Sequence, residues 1–199
     1  EGGFAVADRG GTTLFTDARY LEAAEKRLVP LGVKVETLSK ENKPELYLKK
    51  YKSVAVPFSE ISYAEFLTLQ QSGAKFYDAT NALRECAKVK TEGELNAISR
   101  ACEIAEEGLT KTLGEIKEGM TEREVAATLE HEMRAFGADG TSFDTIVAFG
   151  AGAAVPHHET GDTRLKFGDE ILIDFGCKTQ GYCSDMTRTF LFGDDKNHE

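Results

Sequence analysis

The sequence predicts two successive units, an α/β fold over residues 1–80 and an α+β fold over residues 81–199 in which helices precede an antiparallel sheet. Three observations lead to this. Short β-branched and aromatic runs alternate with helical patterns as far as Tyr77. Two long amphipathic segments follow, each opened by a Thr-x-x-Glu capping box. From Phe143 the apolar period shortens to that of strands, broken by turn residues.

In the first unit, Phe4–Asp8 and Thr12–Thr16 are expected as strands around the turn Arg9-Gly10-Gly11. Asp17 is positioned to cap a helix reaching Leu28, which Pro30 stops. Val33–Leu38, Val54–Pro57 and Lys75–Tyr77 supply further strands, with helices near Pro44–Tyr51 and Ile61–Gln71 between them. That alternation predicts a largely parallel sheet.

In the second unit, Thr91-Glu92-Gly93-Glu94 opens a helix to Leu113, with Ile98, Cys102, Ala105 and Leu109 near helical spacing. Thr121-Glu122-Arg123-Glu124 opens another, ending at Phe136 with Gly137 as its carboxy-terminal cap. Phe143–Phe149, Glu170–Gly176 and Tyr182–Phe192 then read as strands.

Composition narrows the function classes. A hydrophobic content of 41% suffices for a core. A net charge of −10 and the lack of a Lys/Arg cluster argue against nucleic acid as a partner. No apolar run approaches the roughly 18 residues of a membrane span, and the amino-terminal residues lack the pattern of a signal peptide. Cys86, Cys102, Cys177 and Cys183 show no CxxC spacing, which reads as reduced thiols in a cytoplasmic protein.

The most informative stretch is Asp174 to Asp185, read as a hairpin about a Lys178–Gly181 turn. A turn centred between Thr179 and Gln180 sets Asp174 directly across from Asp185. Facing residues lie about 4.5–5.5 Å apart, where like charges repel, so a divalent ion between them is the economical explanation. The competing reading is a pair of ordinary strand-end aspartates, turned to opposite faces by a one-residue slip.

His157, in a loop after Gly150-Ala151-Gly152, is the second candidate, against an exposed loop imidazole with no role. His158 is read as its neighbour at the rim. The Gly150–Gly152 loop lacks the Lys and Ser/Thr of a phosphate cradle, and His131-Glu132 lacks the second histidine of a zincin helix. Arg188 either approaches the site or pairs with a nearby acid, and Tyr182 is read as a packing residue.

The ordered series Val155-Pro156-His157-His158, Gly161-Asp162, Gly168-Asp169, the two-aspartate hairpin and Thr187-Arg188-Thr189-Phe190 resembles the pita-bread metallopeptidases, in the branch of Xaa-Pro aminopeptidase and prolidase. Leu14 to Leu21 resembles the creatinase-like amino-terminal domain of that family. The resemblance implies an α/β creatinase-like domain followed by the first half of an α+β pita-bread domain. It implies two divalent ions, commonly Mn, Co or Zn, holding a bridging hydroxide, with Asp174 and Asp185 as ligands. It also implies that His157, seventeen positions before Asp174, steadies the tetrahedral intermediate. The family's remaining ligands, a histidine and two glutamates, together with its general base, belong to strands after the hairpin, and His198 and Glu199 are the later ligand types here.

The chain is therefore expected to be part of a metal-dependent exopeptidase acting on proline-containing peptides, truncated at both ends and inactive alone. Its expected partner is a second copy or a complementing carboxy-terminal fragment. The alternatives are a non-catalytic homologue serving as a protein-binding module and a creatinase-like hydrolase that works without metal. Methionine aminopeptidase fits less well, because it lacks the amino-terminal domain.

Overall fold

The computed structural model describes residues 3–193 and divides them between Val89 and Lys90. In the first unit β1 (Gly3–Asp8) and β2 (Gly11–Thr16) form a hairpin, and β3 (Lys34–Thr37) adds to β2 in parallel. A separate parallel pair joins β4 (Ser53–Val56) to β5 (Lys75–Asp78). The expectation of a largely parallel sheet therefore holds for β2–β3 and β4–β5. It fails for β1–β2, because the short Arg9-Gly10 link allows only a hairpin.

The helices of this unit are α1 (Leu21–Leu28), α2 (Pro44–Tyr47), α3 (Tyr63–Gln70) and α4 (Thr80–Lys88). Tyr20, not Asp17, stands at the cap of α1. Asp17 instead accepts the Arg19 backbone N–H at 2.8 Å, a local turn that ends before the helix begins. Phe15, fully buried, stacks on Phe4 with ring centroids 4.5 Å apart. Helix α4 was not anticipated, although its residues TNALRECAK are amphipathic; of them only Thr80 is buried.

The second unit is built on α5 (Glu92–Leu113) and α6 (Glu122–Ala135). Both start at Thr caps whose hydroxyls accept the N–H three residues on, while Glu94 and Glu124 reach back to the cap N–H. Each box satisfies two helix-end donors without solvent. The helices pack closely because Gly108 faces Met133: a Cβ at Gly108 would lie 3.1 Å from the Met133 backbone nitrogen.

Their buried faces, Ala101, Ile104, Ala105, Val125, Leu129 and Met133 among them, cover one side of a sheet ordered β11-β8-β7. Here β7 is Ile146–Phe149, β8 is Glu170–Phe175 and β11 is Met186–Leu191, all antiparallel. Val147, Phe149, Ile171, Ile173 and Phe175 point into that core. Alternation then sends Leu172 and Asp174 to the other face.

A second small sheet, ordered β10-β9-β6, joins β6 (Gly140–Thr141), β9 (Cys177–Thr179) and β10 (Tyr182–Cys183). Thr179 pairs with Tyr182, leaving Gln180 and Gly181 as a two-residue loop with φ of 53° and 85°. Positive φ at both central positions is the turn that matches strand twist. The turn is thus centred between Gln180 and Gly181, one residue beyond the expected place.

Between the two sheets the chain passes through Gly176, close against Ser184, whose N–H donates to the Cys177 carbonyl at 2.9 Å. A Cβ at Gly176 would lie 2.0 Å from the Ser184 carbonyl oxygen and 2.4 Å from the Ser142 hydroxyl. The Ser142 hydroxyl donates to that same carbonyl at 2.7 Å, and the Ser184 hydroxyl accepts the Cys177 N–H at 3.0 Å. No side chain fits without moving backbone. Gly176→Ala is therefore expected to lower the stability of this unit by about 2 kcal/mol or more, read as a fall in urea midpoint. An unchanged midpoint would refute the close approach.

Candidate active site

Asp174 sits on the central strand, β8, flanked by Ile146 of β7 and Thr187 of β11. The direct opposition of Asp174 and Asp185 expected from the sequence is not found. Moving the turn by one residue moves the register by two, so Thr187 faces Asp174 and Asp185 lies in the link before β11. The Thr187 hydroxyl donates to Asp174 Oδ1 at 2.7 Å, which removes the need for an ion to separate two opposed carboxylates. Asp185 stands two residues before Thr187 in the chain, and in an extended strand that spacing would return it to the face of Thr187.

His157 lies in the loop after β7, exposed, with φ of 54°. A non-glycine residue in the left-handed region is uncommon, and such strain persists where the surroundings impose it. Among the described residues no hydrogen bond joins His157 to either aspartate, and no group of three or more His, Cys, Asp or Glu side chains is arranged to hold a metal ion. His198 and Glu199 lie outside the described residues. Asp174 and Asp185 are carboxylates, a donor type that divalent cations accept. They do not make a complete metal centre, which takes three or more protein ligands per ion.

The surroundings of His157 hold a group that the sequence reading passed over. Glu122, the first residue of α6, has no solvent-exposed surface. Its Oε1 accepts the Phe149 N–H at 3.1 Å and its Oε2 the Gly161 N–H at 2.8 Å. His158 Nε2 lies 3.1 Å from both oxygens. His158 is thus not at the rim but largely buried against α6, with Gly152 close over its ring. In the sequence Glu122 reads as an ordinary first-turn acid, and no local signal marks it as buried.

The remaining candidates take structural places. Arg188 pairs with Glu106 of α5 at 3.7 Å. The Tyr182 hydroxyl donates to Glu94 Oε1 at 2.9 Å, tying β10 to the start of α5. Hydrogen bonds from the Thr91 backbone, the Thr91 hydroxyl and Tyr182, in that order, hold the Glu94 carboxyl below the usual glutamate range. Cys177 is buried, which pushes its thiol up, and faces Ser184 rather than Cys183. All four cysteines are free thiols. A groove of about 620 Å³ between β1 and β4 in the first unit contains none of the candidate residues.

Comparison with known proteins identifies the family of the fold. Residues 96–199 match Metallopeptidase family M24. The chain belongs to that family. Among relatives of the M24 chain, the Xaa-Pro dipeptidase of Pyrococcus horikoshii is 34% identical over 194 residues, covering 96% of this chain and 54% of the relative. An uncharacterized peptidase of Staphylococcus saprophyticus is 35% identical, covering 94% and 54%. The crystal structure of X-Pro aminopeptidase from Thermotoga maritima superposes with a TM-score of 0.89 at 33% identity, over 98% of this chain and 57% of that one. Prolidase from Pyrococcus furiosus gives 0.85 at 31%, over 95% and 59%.

The M24 chain thus spans about half the length of the curated relatives it matches. Its fold is the one expected, a creatinase-like α/β unit followed by the start of a pita-bread domain. No helix among the described residues is long and apolar enough to cross a membrane.

Two substitutions separate buried from exposed polar contacts in this unit. Glu122→Ala leaves two backbone donors and His158 without their acceptor, and is expected to cost roughly 3 kcal/mol or more, whereas Thr187→Val removes one exposed bond and costs about 1 kcal/mol or less. Equal shifts in urea midpoint would show that burial of Glu122 contributes nothing.

Proposed function

We propose that the M24 chain is the front part of a metal-dependent exopeptidase that cleaves the bond between an amino-terminal residue and proline, in peptides or in dipeptides. The observation that carries this reading is Asp174 on the central strand, on the face turned away from the helices, held there by the Thr187 hydroxyl. It stands in a chain 34% identical to an Xaa-Pro dipeptidase. Asp174 and Asp185 would hold part of a two-ion centre, with Mn, Co or Zn as the candidate metals. A divalent ion there supplies Lewis acidity toward a carbonyl and toward water.

In this reading His157 donates to the carbonyl oxygen as charge develops on it, a role suited to an exposed imidazole held in fixed geometry. The Thr187 hydroxyl holds Asp174 by Oδ1, so Asp174 would be presented to a metal in a fixed orientation. The four free thiols support a reducing, cytoplasmic location. The two alternatives make different demands on Asp174. A protein-binding module has no need of a carboxylate fixed by a hydroxyl on a sheet face, and a creatinase-like hydrolase needs no metal.

One experiment distinguishes them. In the polypeptide carrying the whole catalytic domain, Mn²⁺-dependent hydrolysis of an Xaa-Pro dipeptide is expected, lost on chelation and restored by metal. Asp174→Asn is expected to lower kcat by at least about 100-fold and bound metal in parallel, while residues 1–199 alone show no turnover. Unimpaired activity of Asp174→Asn, or turnover insensitive to chelators, would sink the assignment.

We further infer that the sheet pairs through one of its edge strands, β7 or β11, with a second copy or with a carboxy-terminal segment, because each is an edge among the described residues and an edge is a template for another strand. Light scattering of residues 1–199 is expected to give a dimer, or a monomer that becomes a stable complex on adding the carboxy-terminal segment. A monomer near 21.8 kDa that takes up no such segment would exclude both.

A further inference from the structure

We propose that Glu122 and His158 form a buried anchor that fixes the loop carrying His157, which makes both of them positioning residues. The assignment of a role to His157 rests on the peptidase reading above; the anchor itself does not.

The argument starts from burial. A fully buried carboxylate is tolerated only when protein groups replace its water, and an ionised carboxylate accepts but does not donate. Glu122 meets that requirement with donors from three places. The Phe149 N–H comes from the end of β7, the Gly161 N–H from the far side of the loop, and His158 from the loop itself. His158 turns Nε2 toward both Glu122 oxygens, 3.1 Å from each. One side chain on α6 therefore holds the exit, the middle and the return of the loop.

Other contacts make that hold specific to this stretch. The Arg123 N–H donates to the Gly161 carbonyl at 3.1 Å and the Glu122 N–H to the Thr163 carbonyl at 3.1 Å. The Thr160 hydroxyl accepts the Val147 N–H at 2.8 Å and donates to the Thr145 carbonyl at 3.1 Å. His158 is the one side chain of the 155–158 run drawn inward, to 19% exposure. His157 next to it has φ of 54° and points its neighbourhood to solvent. With residue 158 locked to α6, residue 157 has little freedom to leave that conformation. Without the lock, a left-handed non-glycine residue in a loop would relax toward an ordinary one.

The anchor is tested first without activity. By amide hydrogen exchange, Gly161 and Phe149 are expected to exchange roughly tenfold or more faster in Glu122→Gln and His158→Ala than in wild type. Unchanged exchange in both would overturn the anchor whatever the activity.

The positioning role is read in the polypeptide carrying the whole catalytic domain, with Gly-Pro and Mn²⁺. His158→Ala is expected to lower kcat roughly 10- to 100-fold with KM within about twofold, because misplacing a group by about 1 Å costs on that order. His158→Gln, which keeps an N–H for Glu122, should recover most of the loss. The double variant His157→Ala/His158→Ala should be no slower than His157→Ala, since residue 158 acts through residue 157. Multiplying losses in the double variant, or a His158→Ala enzyme as fast as wild type, would overturn the positioning role. A wild type without Xaa-Pro turnover, together with faster exchange in the variants, would retire the peptidase reading and leave the anchor standing.

Discussion

The second unit depends on one carboxyl group that water does not reach. Glu122 stands where helix α6 begins, a place that favours negative charge because the first-turn N–H groups are unpaired. Most first-turn acids satisfy that preference in solvent. Here the side chain turns inward and becomes the acceptor for β7, for the loop after it and for His158. Helix packing, strand β7 and the candidate histidine are thereby held to a common point, and none of the three can shift without leaving a buried donor unpaired.

The opposite end of the sheet is governed by a steric constraint. Gly176 passes so close to Ser184 that the strands on either side cannot slide, since any register other than the observed one would bring a side chain against backbone. The two-residue loop at Gln180-Gly181 fixes the same register from the other direction. Two independent constraints agree, and together they set Asp174 beside Thr187. The ordering of Asp174 by a hydroxyl follows from that register and requires no cation.

These two features also mark where sequence reasoning succeeded and where it stopped. The capping boxes at Thr91 and Thr121 were legible because each is a local exchange of two hydrogen bonds, written in four residues. The strands β1, β2, β7, β8 and β11 were legible from their apolar period. The turn at Lys178–Gly181 was legible as a turn but not in its centre, because Lys, Thr and Gln carry no φ preference strong enough to choose between neighbouring positions, and a shift of one moves the register by two. Glu122 was not legible at all. Its burial depends on Phe149, His158 and Gly161, which lie 27 to 39 residues away along the chain. Helix α4 was missed although Ala82, Leu83, Cys86 and Ala87 recur at helical spacing, so there the local signal was present and went unread.

The distribution of side chains over the two faces of the β11-β8-β7 sheet bears on the choice between catalyst and binding module. The inner face is uniformly apolar on β7 and β8, as a core requires. The outer face sets Asp174, Thr187 and Thr189 among Ile146, Ala148 and Leu172. Partner-binding sheet faces gain affinity from apolar and aromatic area and lose it by burying charge. A carboxylate at the centre of such a face, held by a neighbouring hydroxyl, works against protein docking. Under the proposed function it would suit a face that receives ions and a polar substrate, where the charge would find its counterpart. The same placement explains why the hairpin matters more than its sequence length suggests: its register decides which residues meet on the outer face, and hence whether that face can do chemistry.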